Sequence, residues 1–187
     1  MDPTKLLEAD HRKVEDLFES IEKAEGAERS RLVTELETAV RSHMQLEEEV
    51  LYPAMAPVTG EETVQEGNNE HELARKSLQD MVAMAPDEPG FGAALEATKA
   101  GIQHHVEEEE GEVFPQLRKD GTVLTKISTP FMQKRVALGL PMDAEALAAA
   151  STKDELLEEA RAAGVDGAAS MTKEELAQAL SAKMAQS

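Results

Sequence analysis

Twice in this chain a histidine is followed four residues later by a glutamate, and nine residues later by an aromatic residue and a proline. The stretches are HMQLEEEVLYP at 43–53 and HHVEEEEGEVFP at 104–115, the second counted from His105. Residues four apart on a helix differ by only about 40° around its axis, so each His-x3-Glu pair points one way. Each pair continues an apolar stripe: Leu32, Leu36, Val40, His43, Glu47 and Val50 in one, Leu95, Thr98, Ile102, His105, Glu109 and Val113 in the other. Both pairs therefore face a core. A buried ionised carboxylate without a partner costs several kcal/mol, so any fold that accepts this pattern must bring something cationic to it.

Two more stripes complete the set. The first runs Leu7, His11, Val14, Phe18, Ile21 after Asp2 and Pro3, a helix N-cap followed by a proline at the first position. Another runs Val64, His71, Ala74, Leu78, Met81, with Thr59 and Glu62 in capping-box spacing and an end before Pro86. The second helix is expected to stop at Pro53 and the fourth at Pro115. The chain is 187 residues long and 41% hydrophobic, enough for one core plus an appendage. The expected fold is all-α: an antiparallel up-down-up-down four-helix bundle with a small C-terminal two-helix module.

In this register four histidines and two glutamates stand where Leu or Val belongs. One such histidine would be read as a core residue bonded to a carbonyl; four with two carboxylates read as metal ligands. Imidazole and carboxylate together suit iron, manganese or zinc. The chain lacks cysteine, which excludes thiolate ligands and disulfides. His11 to His43 and His71 to His105 repeat at nearly equal spacing, so an approximate two-fold gives each of two ions two histidines. Glu47 and Glu109 are then free to bridge ions about 3.5–4 Å apart.

The stretches DHRKVEDLF, HMQLEEEVLYP, NNEHEL and HHVEEEEGEVFP together resemble the hemerythrin-like family, the HHE cation-binding domain, over about residues 4–118. The resemblance implies a bundle around a non-heme di-iron centre, usually oxo- or hydroxo-bridged, with His11, His43, Glu47, His71, His105 and Glu109 as ligands. Oxygen-carrying members have a further histidine one turn after the third-helix ligand; here Arg75 stands there. Arginine has no lone pair to give a metal. The departure implies an open coordination position, with Arg75 as a candidate catalytic residue offering donors to an anionic ligand; the alternative is a salt bridge to a nearby glutamate. Glu15 is a candidate extra ligand or an exposed ion pair, His104 and Glu108 lie off the stripe, and Tyr52 is read as packing. Glu48, Glu49, Glu107 and Glu110 are read as a solvated acidic face.

The remaining chain has a different composition. Residues 1–120 hold 29 acidic and 12 basic side chains and form the bundle; 121–150 are nearly neutral and read as a connector with a short helix around PFMQKRVALGLPM. Residues 151–187 carry two Thr-x-x-Glu capping boxes, TKDEL and TKEEL, separated by Gly164 and Gly167. This segment resembles the SAP and Rho N-terminal helix–extended–helix group over about 152–182, although it lacks the basic character that nucleic-acid binding needs. The net charge of −19 argues against nucleic acid as a partner, and residues 121–187 are a candidate surface for a protein partner. No apolar run approaches a membrane span and no signal peptide is evident, so a cytoplasmic protein is expected. Two function classes follow. One is a di-iron protein that handles or senses oxygen, peroxide, nitric oxide or iron, an enzyme of the peroxide-consuming, catalase-like kind if it is one. The other is a module that metal merely staples, with its C-terminal helices recruiting a partner.

Overall fold

The computed structural model describes residues 1–140 and 143–184, and every regular element among them is a helix. Four long helices carry the stripes: α1 Pro3–Lys23, α2 Gly26–Leu46, α4 Glu61–Val82 and α5 Phe91–Glu108. α1 packs on α2, α4 on α5, α2 on α4 and α1 on α5, which closes a ring of four. Asp2 caps α1 by accepting the Thr4 N–H at 3.0 Å, with Pro3 at the first position.

Neither proline ends its helix. α2 runs on through a π-helical turn, Glu47–Leu51, into α3 Tyr52–Thr59; α5 does the same through Glu109–Val113 into α6 Phe114–Asp120. In each turn the residue before proline donates its N–H five residues back, Tyr52 to Glu47 and Phe114 to Glu109. Proline lacks an N–H and its ring strikes the carbonyl four residues earlier in a regular helix. Widening the turn by one residue relieves that clash, so the chain passes the proline without breaking. Downstream of the turn the register slips: Leu51 is buried and the expected Val50 only half-buried. The expected Thr59 cap is also replaced. Thr59 ends α3, its hydroxyl donating to the Met55 carbonyl, and α4 starts from Gly60 at a φ of 97°, where a side chain would be strained.

The apolar interior forms two clusters. One gathers Val14, Phe18, Ile21, Leu36, Leu78 and Phe91. The other gathers Leu6, Leu7, Leu46, Leu51, Phe114 and Leu117 with residues from beyond the ring, among them Phe131, Leu147, Leu156, Leu176 and Leu180. Between Leu7 and Val14 on α1, and between Val40 and Leu46 on α2, the chain crosses from one cluster to the other at a histidine. The polar layer thus lies sandwiched between two dry cores.

Beyond the ring, the expected short helix is the 16-residue α7, Thr122–Ala137, which carries Pro130 inside it. Phe131, Met132 and Leu140 are buried while Val136 is exposed. Pro141 and Met142 of the same apolar stretch lie outside the described residues, as do 185–187. A further helix, α8 Ala144–Ala150, is capped by Asp143. Both capping boxes are present, at Thr152 and Glu155 on α9 Lys153–Ala162 and at Thr172 and Glu175 on α10 Lys173–Met184. The N-terminus ties to these helices: the Met1 ammonium pairs with Glu155, and the Asp2 N–H donates to the Ala150 carbonyl at 2.6 Å.

Candidate metal centre

All six residues on the four stripes meet in the buried layer. His11 and His43 set their Nε2 atoms 3.1 Å apart, and His71 and His105 do the same. Glu47 lies between the pairs, Oε1 at 3.1 Å from His43 Nε2 and Oε2 at 3.3 Å from His71 Nε2. Glu109 Oε2 sits 3.5 Å from His11 Nε2 and 3.7 Å from His105 Nε2. The two carboxylates each start a π turn, one on each side of the pseudo-two-fold.

A second layer of carboxylates fixes the rings. His11 Nδ1 donates to Glu110, His71 Nδ1 to Glu48 and His105 Nδ1 to Glu70, each at 2.8 Å; His43 Nδ1 faces Asp10 at 3.5 Å, an ion-pair distance. A carboxylate only accepts, so Nδ1 carries a hydrogen and Nε2 faces inward, where a metal that displaces its proton would find the lone pair. Each carboxylate is held in turn. Arg12 reaches Glu110 at 2.6 Å, Arg75 reaches both Glu48 oxygens at 2.5 Å, and Arg135 grips Asp10 at 2.5 and 2.9 Å. Exposed His104 lies 3.7 Å from Glu70.

The electrostatics express the same demand. Burial acts to lower the His43 imidazole, but the charges of Glu47 and Asp10 outweigh it and push it up to about 10. Burial is likewise overridden at His105, where Glu109, Glu70 and Glu47 push the ring up to about 9, and at His11, raised by Glu109 and Glu110. Glu47 is held well below its usual range despite burial, because His43 and His71 stand against it. Burial would also raise Asp10, and its bonds to Arg135 keep it low. The carboxylates thus draw positive charge into the layer, and protons on His11, His43 and His105 supply it in the metal-free protein.

The donor set fits metal ions. None of the four oxygens of Glu47 and Glu109 has a hydrogen-bond partner, although both side chains are buried. Two imidazole nitrogens facing at 3.1 Å need a proton or a metal ion between them. Two groups of ligand atoms satisfy a metal's reach: His11, His43, Glu47 and Glu109, and Glu47, His71 and His105, each within 4.8 Å. Hard carboxylate oxygen with imidazole nitrogen suits iron, manganese or zinc.

Other candidates fall elsewhere. Arg75 turns to Glu48 and also approaches Glu72 at 3.8 Å, so it touches His71 only through Glu48. Glu15 pairs with Arg12 on the surface. Glu49 pairs with Lys134 of α7, and Glu107 is exposed. Tyr52 packs in the core as expected, and its hydroxyl also lies 3.0 Å from His71 Nε2, the nitrogen that faces the centre. Burial and the surrounding carboxylates push the phenol up, so it stays protonated in their company. Its counterpart Phe114 stacks on His11 and offers no polar atom. Glu48 and Glu110, read as solvated face, hold His71 and His11 instead. The acid–histidine dipeptides Asp10-His11 and Glu70-His71 were a legible sign of this outer layer, since they repeat with the histidines.

Comparison with known proteins gives a consistent picture. The family model described as hemerythrin HHE cation-binding domain matches residues 2–117. A DNA nickase of Nostoc sp. is 26% identical over 116 residues, 62% of this chain and 33% of that protein. An uncharacterised hemerythrin-like protein of Schizosaccharomyces pombe is 28% identical over 114 residues, 59% of this chain and 56% of its own length. The match therefore spans only about a third to a half of these relatives. The crystal structure of a hemerythrin HHE cation-binding domain-containing protein from Mycobacterium kansasii shares the fold at a TM-score of 0.61 and 20% identity, covering 96% of this chain and 99% of that one. The helices beyond residue 120 are included in that likeness of fold. With its two histidine pairs, two buried carboxylates and a family match across the whole ring, the chain belongs to the hemerythrin HHE cation-binding family.

Proposed function

We propose that the chain holds two iron ions in an antiparallel four-helix bundle, and that this pair handles or senses a small ligand such as oxygen, peroxide or nitric oxide. His11 and His43 would hold one ion, His71 and His105 the other, with Glu47 and Glu109 shared between them. The observation that carries this reading is the set of four carboxylate oxygens, buried and without hydrogen-bond partners, between two pairs of inward-facing imidazoles. Iron so held would supply one-electron redox chemistry and Lewis acidity toward a small ligand.

The protein's part is to shape, dry and proton-balance the site. Beside the four histidines lies an apolar hollow walled by Val14, Val40, Met44, Ala74, Ile102 and Val106, with about 20 Å³ open to the centre of a water-sized sphere. That volume takes a molecule of one or two heavy atoms and little more. Four histidines leave the ions short of protein ligands, because Arg75 occupies the position of a further histidine and points to Glu48. Tyr52 is placed to donate a hydrogen bond at the His71 side of the centre. The activity named for the cyanobacterial relative is not carried over, since a net charge of −19 opposes a phosphodiester backbone.

Metal analysis and absorption spectra of the iron-loaded protein test the reading. Two irons per chain, with visible bands that change on adding peroxide or nitric oxide, are expected. Fewer than one ion per chain after iron loading would sink it. Two tightly bound zinc ions with no affinity for iron would leave only a metal staple for the bundle.

A further inference from the structure

The two halves of the centre repeat each other, but their surroundings do not. Aligning His11 with His71 sets Leu6 and Leu7 opposite Glu66 and Gly67, and aligning Glu47 with Glu109 sets Leu46 opposite Glu108. Leu6, Leu7 and Leu46 are fully buried in the cluster shared with α7 to α10. Their counterparts open instead onto a narrow recess. Tyr52, His105 and Glu109 line its inner end, and Glu66, Glu70 and Glu108 its outer end. About 30 Å³ of it is open to the centre of a water-sized sphere, room for about two waters.

Gly67 lets Tyr52 stand at the inner end of this recess. A Cβ there would lie 2.8 Å from the Tyr52 hydroxyl and 3.0 Å from its ring. At the outer end Glu70, His104 and Glu108 bring three ligand atoms within 4.8 Å of one another. His104 is exposed and Glu108 half-buried, while Glu70 is mostly covered and accepts from His105. The second observation is Glu109: buried, with neither oxygen partnered, and lining the inner end of the same recess. A line of carboxylates thus runs from solvent to the ligands, on one half of a pseudo-symmetric site and not the other.

We propose that this recess is the path by which divalent cations load into the centre, with Glu66, Glu70, His104 and Glu108 as a staging site at its mouth. The proposal rests on the reading that the six inner residues hold metal. Three acidic groups around a narrow opening concentrate cations there and raise their capture rate. An anion or a dioxygen molecule gains nothing from that field, so the apolar hollow on the other side of the histidines serves small neutral ligands and this recess serves the ion.

Stopped-flow uptake of cobalt(II) by the chelator-stripped full chain tests the path, following absorbance and final stoichiometry separately. The Glu66→Gln/Glu108→Gln double variant is expected to load roughly threefold to tenfold more slowly, and to lose part of the slowing that added salt imposes on the parent. Gly67→Ala is expected to slow loading too, while Gly101→Ala, where a Cβ meets open space, leaves it unchanged. Both cobalt ions should still bind at equilibrium in every variant. Equal rates and equal salt dependence in the parent and the double variant would overturn the path alone. A parent that takes up no cobalt would overturn the reading of the centre on which the path rests.

Discussion

Glu48 and Glu110 each directly follow a carboxylate that faces the centre, and each crosses to orient a histidine of the other half. Outer carboxylates of this kind fix the ring tautomer and raise its basicity, and losing one costs about 10–100-fold in metal affinity. Glu48→Ala and Glu110→Ala should each show that loss in a competition titration against a chelating dye, while exposed Glu107→Ala should not. If Glu110→Ala and Glu107→Ala bind alike, the outer layer is ornamental. Arg75 acts through Glu48, so Arg75→Ala with Glu48→Ala should bind metal no more weakly than Glu48→Ala alone. pH supplies an independent check. In metal-free protein His43 and His105 have folded values of about 10 and 9, above the ordinary imidazole value. Their contribution to stability is complete below about pH 6.5 and is lost as pH rises through 9 to 10. Metal binding instead displaces those protons and strengthens as pH rises. Melting temperatures of stripped and loaded protein should therefore diverge between pH 6.5 and 10; parallel curves would contradict the ligand assignment. The six inner residues were legible because helical phase marks a stripe. Of their outer partners Asp10 and Glu70 left a sign in the repeated acid–histidine dipeptide, whereas Glu48 and Glu110 left none, because phase says which face a glutamate is on and not which neighbour it meets there.

The π turns explain how Tyr52 both packs in the core, as expected, and reaches the centre. Nine residues after His43 a regular helix has turned about 180°, which would set Tyr52 on the far side. One inserted residue turns everything after it by about 100°, which brings the phenol round to the centre. The same insertion after Glu109 carries Phe114 onto His11. Period-3.6 counting holds up to each glutamate; beyond it Val113 keeps its expected burial and Val50 does not. The chain has one tyrosine and no tryptophan, so its emission reports on Tyr52 alone. Metal loading should quench it strongly. Pro53→Ala restores the missing N–H and removes the clash that the wide turn relieves, so the turn is expected to tighten and carry Tyr52 away. Quenching should then weaken while helix content by circular dichroism stays the same. Undiminished quenching in Pro53→Ala would show that the wide turn has causes other than the proline.

Across the whole molecule, the ring was legible from its stripes and the C-terminal helices from their capping boxes, but their docking was not. Docking runs through α8, which packs on α1 and carries α10 and with it α9, in a cluster that joins Leu6 and Leu7 to Leu156, Leu176 and Leu180 across distant parts of the chain, and no local period records it. Leu156→Ala should cost about 2–5 kcal/mol and lower one shared unfolding transition, as followed by calorimetry. Two separated transitions would mean that the clusters melt independently. The matched family region ends at residue 117, yet Asp10, which faces His43, is gripped by Arg135 from α7. Occupancy of the centre and attachment of α7 are therefore two ends of one thermodynamic cycle. Whatever pries α7 loose must weaken the hold on metal by the factor with which metal resists the prying. Cleavage of α7 by a protease should slow when metal is bound, and Arg135→Met should erase that protection while leaving the six inner residues in place. Attachment of α7 is then expected to report whether the centre holds metal.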